Sequence, residues 1–223
     1  MAAVKSFGDV EQASIMIIGH DPRLQNSRAE AEYAFFLDSL LRPRPGRASE
    51  ARKYDLARAL QGYICDLAGQ EIPLQLLYVT NLCNEFLPPT HGRGTVLVPD
   101  EQAEKGVADI YHTVAQGHFR LILPLSLQVC YHLGRLRFFD TADERVQAFV
   151  HQARPAPGKA AQGVYISAET APFLEMCGQL LHHRGIPAVP VLHIKQWPLR
   201  PQMTRYVGPM YQAAQEIRRA LAR

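Results

Sequence analysis

Short apolar runs alternate along the chain with longer segments in which apolar residues recur every three to four positions. The runs are four or five residues long and rich in Val, Ile and Leu, which is typical of strands buried on both faces. We expect strands at residues 14–18, 76–80, 120–123, 163–166 and 188–192. The helical spacing between them predicts helices at residues 28–41, 50–68, 101–117, 126–134, 169–184 and 209–222.

The alternation of strands with helices is typical of α/β proteins that have a parallel sheet. We therefore expect a three-layer α/β/α sandwich around a mainly parallel central sheet. Residues 42–49 and 154–163 are rich in Pro, Gly and basic residues, which indicates exposed loops and not linkers between domains. With no internal repeat, residues 1–223 are expected to form a single domain.

Composition adds little to this picture. The formal net charge of +3 is compatible with binding phosphates but does not by itself indicate nucleic acid. The four cysteines are far apart and include no C-x-x-C pair, which predicts reduced thiols and no zinc or redox motif. No signal peptide or membrane-spanning stretch is recognisable, so we expect a monomeric, cytoplasmic protein that does not bind membranes.

Polar residues follow three of the predicted strands. His20 and Asp21 come after the first strand, Asn81 after the second, and His193 after the last. Because the carboxyl ends of parallel strands meet at one edge of a sheet, we expect these residues to converge there. A carboxylate, a carboxamide and an imidazole together suit cleavage of a bond to a nucleobase. Each residue taken singly also fits a turn, a helix cap or a sheet edge.

The segments around these residues resemble motifs of the uracil-DNA glycosylase superfamily. GHDPRL, at residues 19–24, is similar to the family's G-Q-D-P-Y-H motif. LYVTNLCNEFLPP (77–89) resembles its strand ending in Asn, and VPVLHIKQWPLRP (189–201) resembles its strand ending in His. FRLILPLSLQVCYHLG (119–134) resembles the strand and helix between them. The resemblance implies a DNA glycosylase of base excision repair, which hydrolyses the N-glycosidic bond of a flipped uracil or related damaged base.

The resemblance also implies a role for each matched residue. Asp21 and His193 would be catalytic, with Asp21 acting on the water or the sugar and His193 steadying the departing base. Asn81 would recognise the base. The other base-binding candidates are the first-motif residues and the aromatics that follow them, namely Gly19, His20, Tyr33 and Phe35, with Phe36 as a further aromatic.

The loop after His193 departs from the family, which usually continues His-Pro-Ser. Here Lys195 would supply a charge in place of the serine, and Trp197 or Leu199 would act as the wedge that holds the flipped state. Arg200 would contact phosphates. An iron-sulfur cluster is not expected, because Glu85 occupies a cysteine position of the cluster-containing branch; we expect no metal and no cofactor.

Two other classes of function stay open. A metal-dependent hydrolase could use His20, Asp21, His91 and His193, although no H-x-x-x-H spacing supports it. A non-catalytic binder of nucleic acid or nucleotide could share the fold, because fold does not determine function.

Overall fold

The computed structural model describes residues 3–20, 32–85, 98–140, 144–152, 171–194, 196–197 and 204–222. In these ranges the central sheet has five strands in the order β2-β1-β3-β5-β4. The strands are β1 (Ile15–Gly19), β2 (Leu77–Asn81), β3 (Leu121–Pro124), β4 (Leu181–His183) and β5 (Ile186–Ala188). All neighbouring pairs are parallel except β4 and β5, which form an antiparallel hairpin.

Every residue of β1 and β3 is buried. Because successive side chains of a strand point to opposite faces, both faces of the sheet are covered. The prediction of an α/β fold with a mainly parallel central sheet is therefore confirmed, and the burial is consistent with three layers.

Most of the α-helices in the described ranges match predicted helices. The α-helices are α1 (Ala48–Ala68), α2 (Asp100–Gln116), α3 (Leu127–Arg135), α4 (Glu144–Gln152), α5 (Ala171–Met176) and α6 (Thr204–Leu221). Helix α2, for example, buries Ala103, Val107, Ile110 and Val114, which are spaced three or four residues apart. Helix α1 packs against α6, and α3 packs against both α2 and α4. None of the helices in the described ranges has both the length and the apolar character needed to cross a membrane.

The predicted helix at 169–184 is wrong beyond residue 176. Helix α5 ends at Met176, and the chain then forms the β4–β5 hairpin. The carboxylate of Asp140 accepts hydrogen bonds from the N–H groups of Arg184 and Gly185, which stabilises the turn of this hairpin. The ring of His183 stacks on Phe138 at a centroid distance of 3.8 Å. Long-range contacts thus stabilise a strand where the local spacing of apolar residues indicated a helix.

The predicted helix at 28–41 is also wrong in detail. Its residues 28–31 lie outside the described ranges, and Ala34–Leu41 forms a 3-10 helix interrupted near its start. Phe35 and Phe36 have left-handed backbone angles, with φ of 55° and 58°, which a regular α-helix excludes.

The predicted strands differ from the observed ones in their bounds. The strands predicted at 14–18, 76–80 and 120–123 are confirmed as β1, β2 and β3 with a shift of about one residue, and 163–166 lies outside the described ranges. In place of 188–192, the ladder of β5 covers Ile186–Ala188. The chain nevertheless stays beside β3, because the N–H of Val191 donates to the carbonyl of Pro124 at 3.0 Å. Helix α4 has no counterpart in the prediction.

The four cysteines are free thiols. Cys83, Cys130 and Cys177 are buried and Cys65 is partly buried, as the prediction of reduced thiols requires. Burial raises the pKa of the Cys177 thiol to about 12, so this group stays protonated and unreactive at neutral pH.

Candidate functional site

The carboxyl ends of β1 and β2 lie side by side. Gly19 and Asn81 are direct partners in the parallel register. Just beyond them, the N–H of Leu82 donates to the carbonyl of Gly19 at 2.8 Å, and the N–H of Cys83 donates to the carbonyl of His20 at 3.1 Å. The residues that follow both strands are therefore held level at one edge of the sheet.

Gly19 allows two side chains to lie directly against the end of β1. A Cβ atom at this position would be 2.5 Å from Asn81 Oδ1 and 2.5 Å from Phe35 Cε2. Both distances are about 1 Å shorter than a favourable van der Waals contact. The carboxamide of Asn81 and the ring of Phe35 thus meet over the backbone of Gly19.

The position of its ring against Gly19 selects Phe35 among the three candidate aromatics. Its left-handed conformation is energetically unfavourable for a residue with a large side chain, and such conformations often occur at functional sites. Tyr33 instead packs its ring against Phe7 at a centroid distance of 6.4 Å, and Phe36 lies beneath Lys53 Nζ at 5.5 Å. The described contacts bring Phe35, and not Tyr33, to the site.

His193 lies next to the Phe35 ring. The two ring centroids are 6.1 Å apart, with an angle of 33° between the planes. The buried Tyr63 hydroxyl of α1 donates to the carbonyl of Leu192 at 2.7 Å, which positions the backbone just before His193. The N–H groups of Gln196 and Trp197 donate to the carbonyl of His193, so a tight turn fixes its exit from the sheet.

The carboxamide of Asn81 lies at the edge of the sheet without a hydrogen bond to the described residues. Asn81 is only 5% exposed, and its side chain makes no hydrogen bond to any of the described residues. A cavity of about 270 Å³, lined in part by Asn81 and Gln102, lies between the end of β2 and α2. Gly106 makes close packing possible here, because a Cβ at this position would lie 1.7 Å from the carbonyl oxygen of Leu82.

Sequence reasoning missed a polar face of α3. Gln128 and His132 lie one turn apart and are buried, with exposures of 3% and 1%. Burial, and then the charges of Arg135 and His20, lower the pKa of His132 to about 3. The signal was readable, because a Gln and a His spaced four residues apart interrupt an otherwise apolar helix start.

Several predicted residues are not part of this arrangement as described. Asp21, Lys195, Leu199 and Arg200 lie outside the described residues. Trp197 is partly buried and packs against the hydrophobic core, which differs from the exposed position expected of a wedge.

The arrangement suits a flat, uncharged ring with hydrogen-bonding edges. Asn81 offers donors and an acceptor, Phe35 offers an aromatic face, and His193 offers an imidazole beside the Phe35 ring. No group of three or more His, Cys, Asp or Glu side chains that could hold a metal ion occurs among the residues described. Neither a protein-family model nor a curated protein matches this chain.

Proposed function

We propose that this chain is a DNA glycosylase that hydrolyses the N-glycosidic bond of a flipped uracil or related damaged base. The supporting observation is that Asn81 Oδ1 and the Phe35 ring both lie against Gly19, with His193 beside that ring. Gly19, Asn81 and His193 belong to the three segments that resemble motifs of the uracil-DNA glycosylase superfamily, and Phe35 is one of the aromatics that follow the first segment. The proposal includes that family's fold, and DNA as the partner of a monomeric, cytoplasmic protein.

The chemistry of the reaction matches these groups. Breaking an N-glycosidic bond develops positive charge on the sugar and negative charge on the base. The imidazole of His193 would stabilise the base, and the carboxylate of Asp21, two residues after Gly19 in sequence, would stabilise the sugar. Asn81 would hydrogen-bond the base edge while Phe35 stacks on its face.

A screen of oligonucleotides tests the proposal directly. Duplexes carrying uracil, hypoxanthine, xanthine or an alkylated base are incubated with the protein, and alkali then cleaves the strand at each abasic site. We expect product from at least one of these bases, and Asp21→Asn should lower the rate at least about 100-fold because the carboxylate's charge acts in the transition state.

The control is the DNA affinity of the Asp21→Asn variant, which should change little. An interaction made only in the transition state affects the reaction rate and not ground-state binding. No product from any substrate would contradict the proposal, and DNA binding without product would favour a non-catalytic binder on the same fold.

Phe35 gives a second prediction. Phe35→Leu should weaken the apparent affinity for substrate DNA about tenfold, because stacking of an aromatic ring on a base contributes about 1–3 kcal/mol. Measurement of KM and kcat on the preferred substrate checks this result.

Phe36→Leu is a matched control, because Phe36 has the same left-handed backbone but lies beneath Lys53. If both variants lost the same apparent affinity for substrate DNA, the left-handed backbone, and not stacking on the base, would explain the effect of Phe35→Leu.

A further inference from the structure

Helix α3 presents two buried polar side chains that make no hydrogen bond to the described part of the chain. Neither carboxamide atom of Gln128 and neither ring nitrogen of His132 has a hydrogen-bond partner among the described residues. Buried polar groups in folded proteins are almost always hydrogen-bonded. Four unpaired atoms on adjacent turns therefore indicate that a bound group completes them.

These side chains lie close to the candidate site. Helix α3 begins directly after β3, and the N–H groups of Leu125 and Ser126 donate to the carbonyls of Ile18 and Val191. The start of α3 is thus tied to both β1 and the segment leading to His193. The charge of His20, which follows Gly19, is near enough to contribute to the lowered pKa of His132.

The pair is suited to an uncharged ligand. His132 is neutral at physiological pH because burial disfavours its charged form. The nearest cation on the same face, Arg135, forms salt bridges with Asp100 at 3.2 Å and Glu104 at 3.3 Å. A phosphate would therefore find no unpaired positive charge on this face of α3.

The hydrogen-bonding capacity of the pair narrows the ligand class. A carboxamide offers donors and an acceptor, and a neutral imidazole offers one of each. Residues four apart on a helix have Cβ atoms about 6 Å apart, which is similar to the width of a pyrimidine edge. An N–H group on one ring would donate to one of these side chains while the adjacent C=O accepts from the other, so a ring with both groups gives each side chain one hydrogen bond.

We propose that Gln128 and His132 form a subsite for the lactam edge of a nucleobase, the edge that carries adjacent C=O and N–H groups. This inference rests on the proposed function and deepens it, because it adds two residues of α3 to the groups that would recognise the base. A free base and a flipped base in DNA present the same edge.

Binding of free bases tests the subsite without any need for catalysis. Calorimetric titration of the wild-type protein should detect uracil or hypoxanthine. 1,3-Dimethyluracil, which has the carbonyls but no N–H donor, should bind at least about tenfold more weakly. Equal affinity for uracil and its dimethyl derivative would overturn the inference, as would the absence of binding by both lactam bases.

Gln128→Met separates a ligand subsite from a site filled by internal water. Methionine has a similar volume and no strong polar group, so the variant should lower the affinity for the lactam base about tenfold. Its Tm should rise by about 2–4 °C, because two unpaired polar atoms leave the core. An unchanged affinity, with a lowered Tm, would show that the pair only binds water and would overturn the inference.

Gln212→Met is the matched control, since the Gln212 amide is already paired with Gln179 at 3.0 and 3.3 Å. It should lower the Tm and leave base affinity unchanged. Should Gln128→Met fail to fold, the ring-nitrogen NMR shifts of His132 in the wild-type protein give the same decision. They should move when the lactam base is added and stay fixed with inorganic phosphate; no movement with the base would overturn the inference.

Excision assays distinguish the two proposals. Base binding that depends on Gln128, without excision of any base, would support the subsite and contradict the glycosylase. Excision that is unaffected by Gln128→Met would support the glycosylase and overturn the subsite.

Discussion

Replacement of Gly19 by alanine is expected to lower the excision rate at least about 100-fold while the protein still folds. The new Cβ would lie 2.5 Å from Asn81 Oδ1 and from Phe35 Cε2, so both groups must move by about 1 Å. Displacement of this size at a reacting centre can cost about 100-fold in rate. The clashing atoms are at the ends of side chains and not in the backbone, so the sheet can persist. Single-turnover kinetics of the variant measure the excision rate, and circular dichroism shows whether the protein still folds.

Gly62→Ala is the matched control for this substitution. Gly62 lies on the exposed side of α1, and no heavy atom beyond its own surroundings lies within 4 Å of the position its Cβ would take. Alanine in a helix interior should stabilise the protein by about 0.5–1 kcal/mol and leave the rate unchanged. A Gly19→Ala variant as active as Gly62→Ala would show that the contact of Asn81 and Phe35 over Gly19 is not needed for the reaction.

Mild acid is expected to destabilise the protein steeply because of His132. Its pKa is about 3 in the folded protein, against an ordinary value of 6.5 in the unfolded chain. Between these values the unfolded chain binds a proton that the folded protein excludes. The free energy of unfolding should therefore fall by about 1.4 kcal/mol for each pH unit below about 6.5. Urea denaturation at pH 7, 6, 5 and 4 measures this slope.

His183 also contributes to the fall in the free energy of unfolding as the pH is lowered. Burial lowers its pKa, although the hydrogen bond from its ring to the carbonyl of Phe138 opposes that effect. His132→Gln should therefore reduce the slope without abolishing it. The control His118→Gln removes an exposed imidazole and should retain the full slope. An identical slope in the wild-type protein and His132→Gln would contradict the assignment to His132.

The sequence alone was enough to predict the part of the site that depends on strand ends. Apolar runs predicted β1 and β2 to within about one residue, and Gly19 and Asn81 are register partners there. In a parallel sheet the carboxyl ends meet at one edge, so local pattern and general topology sufficed. The same reasoning placed His193 beyond the last strand, although the ladder of β5 ends earlier than expected.

Only the tertiary structure decided which aromatic joins the site and where helix α5 ends. Three aromatics near one another in sequence have similar local signals, and only the fold brings the ring of Phe35 against Gly19. Likewise, Asp140 stabilises the turn of the β4–β5 hairpin from 44 residues away, which overrides the helical spacing around His183. The burial of Gln128 and His132 without hydrogen bonds to other described residues is equally non-local, because a polar pair four residues apart on a helix is either solvated or buried according to what packs over it. Local periodicity therefore determined the first strands and the sheet edge at which they end. Long-range packing determined which side chains lie at that edge and which polar groups are buried beside it.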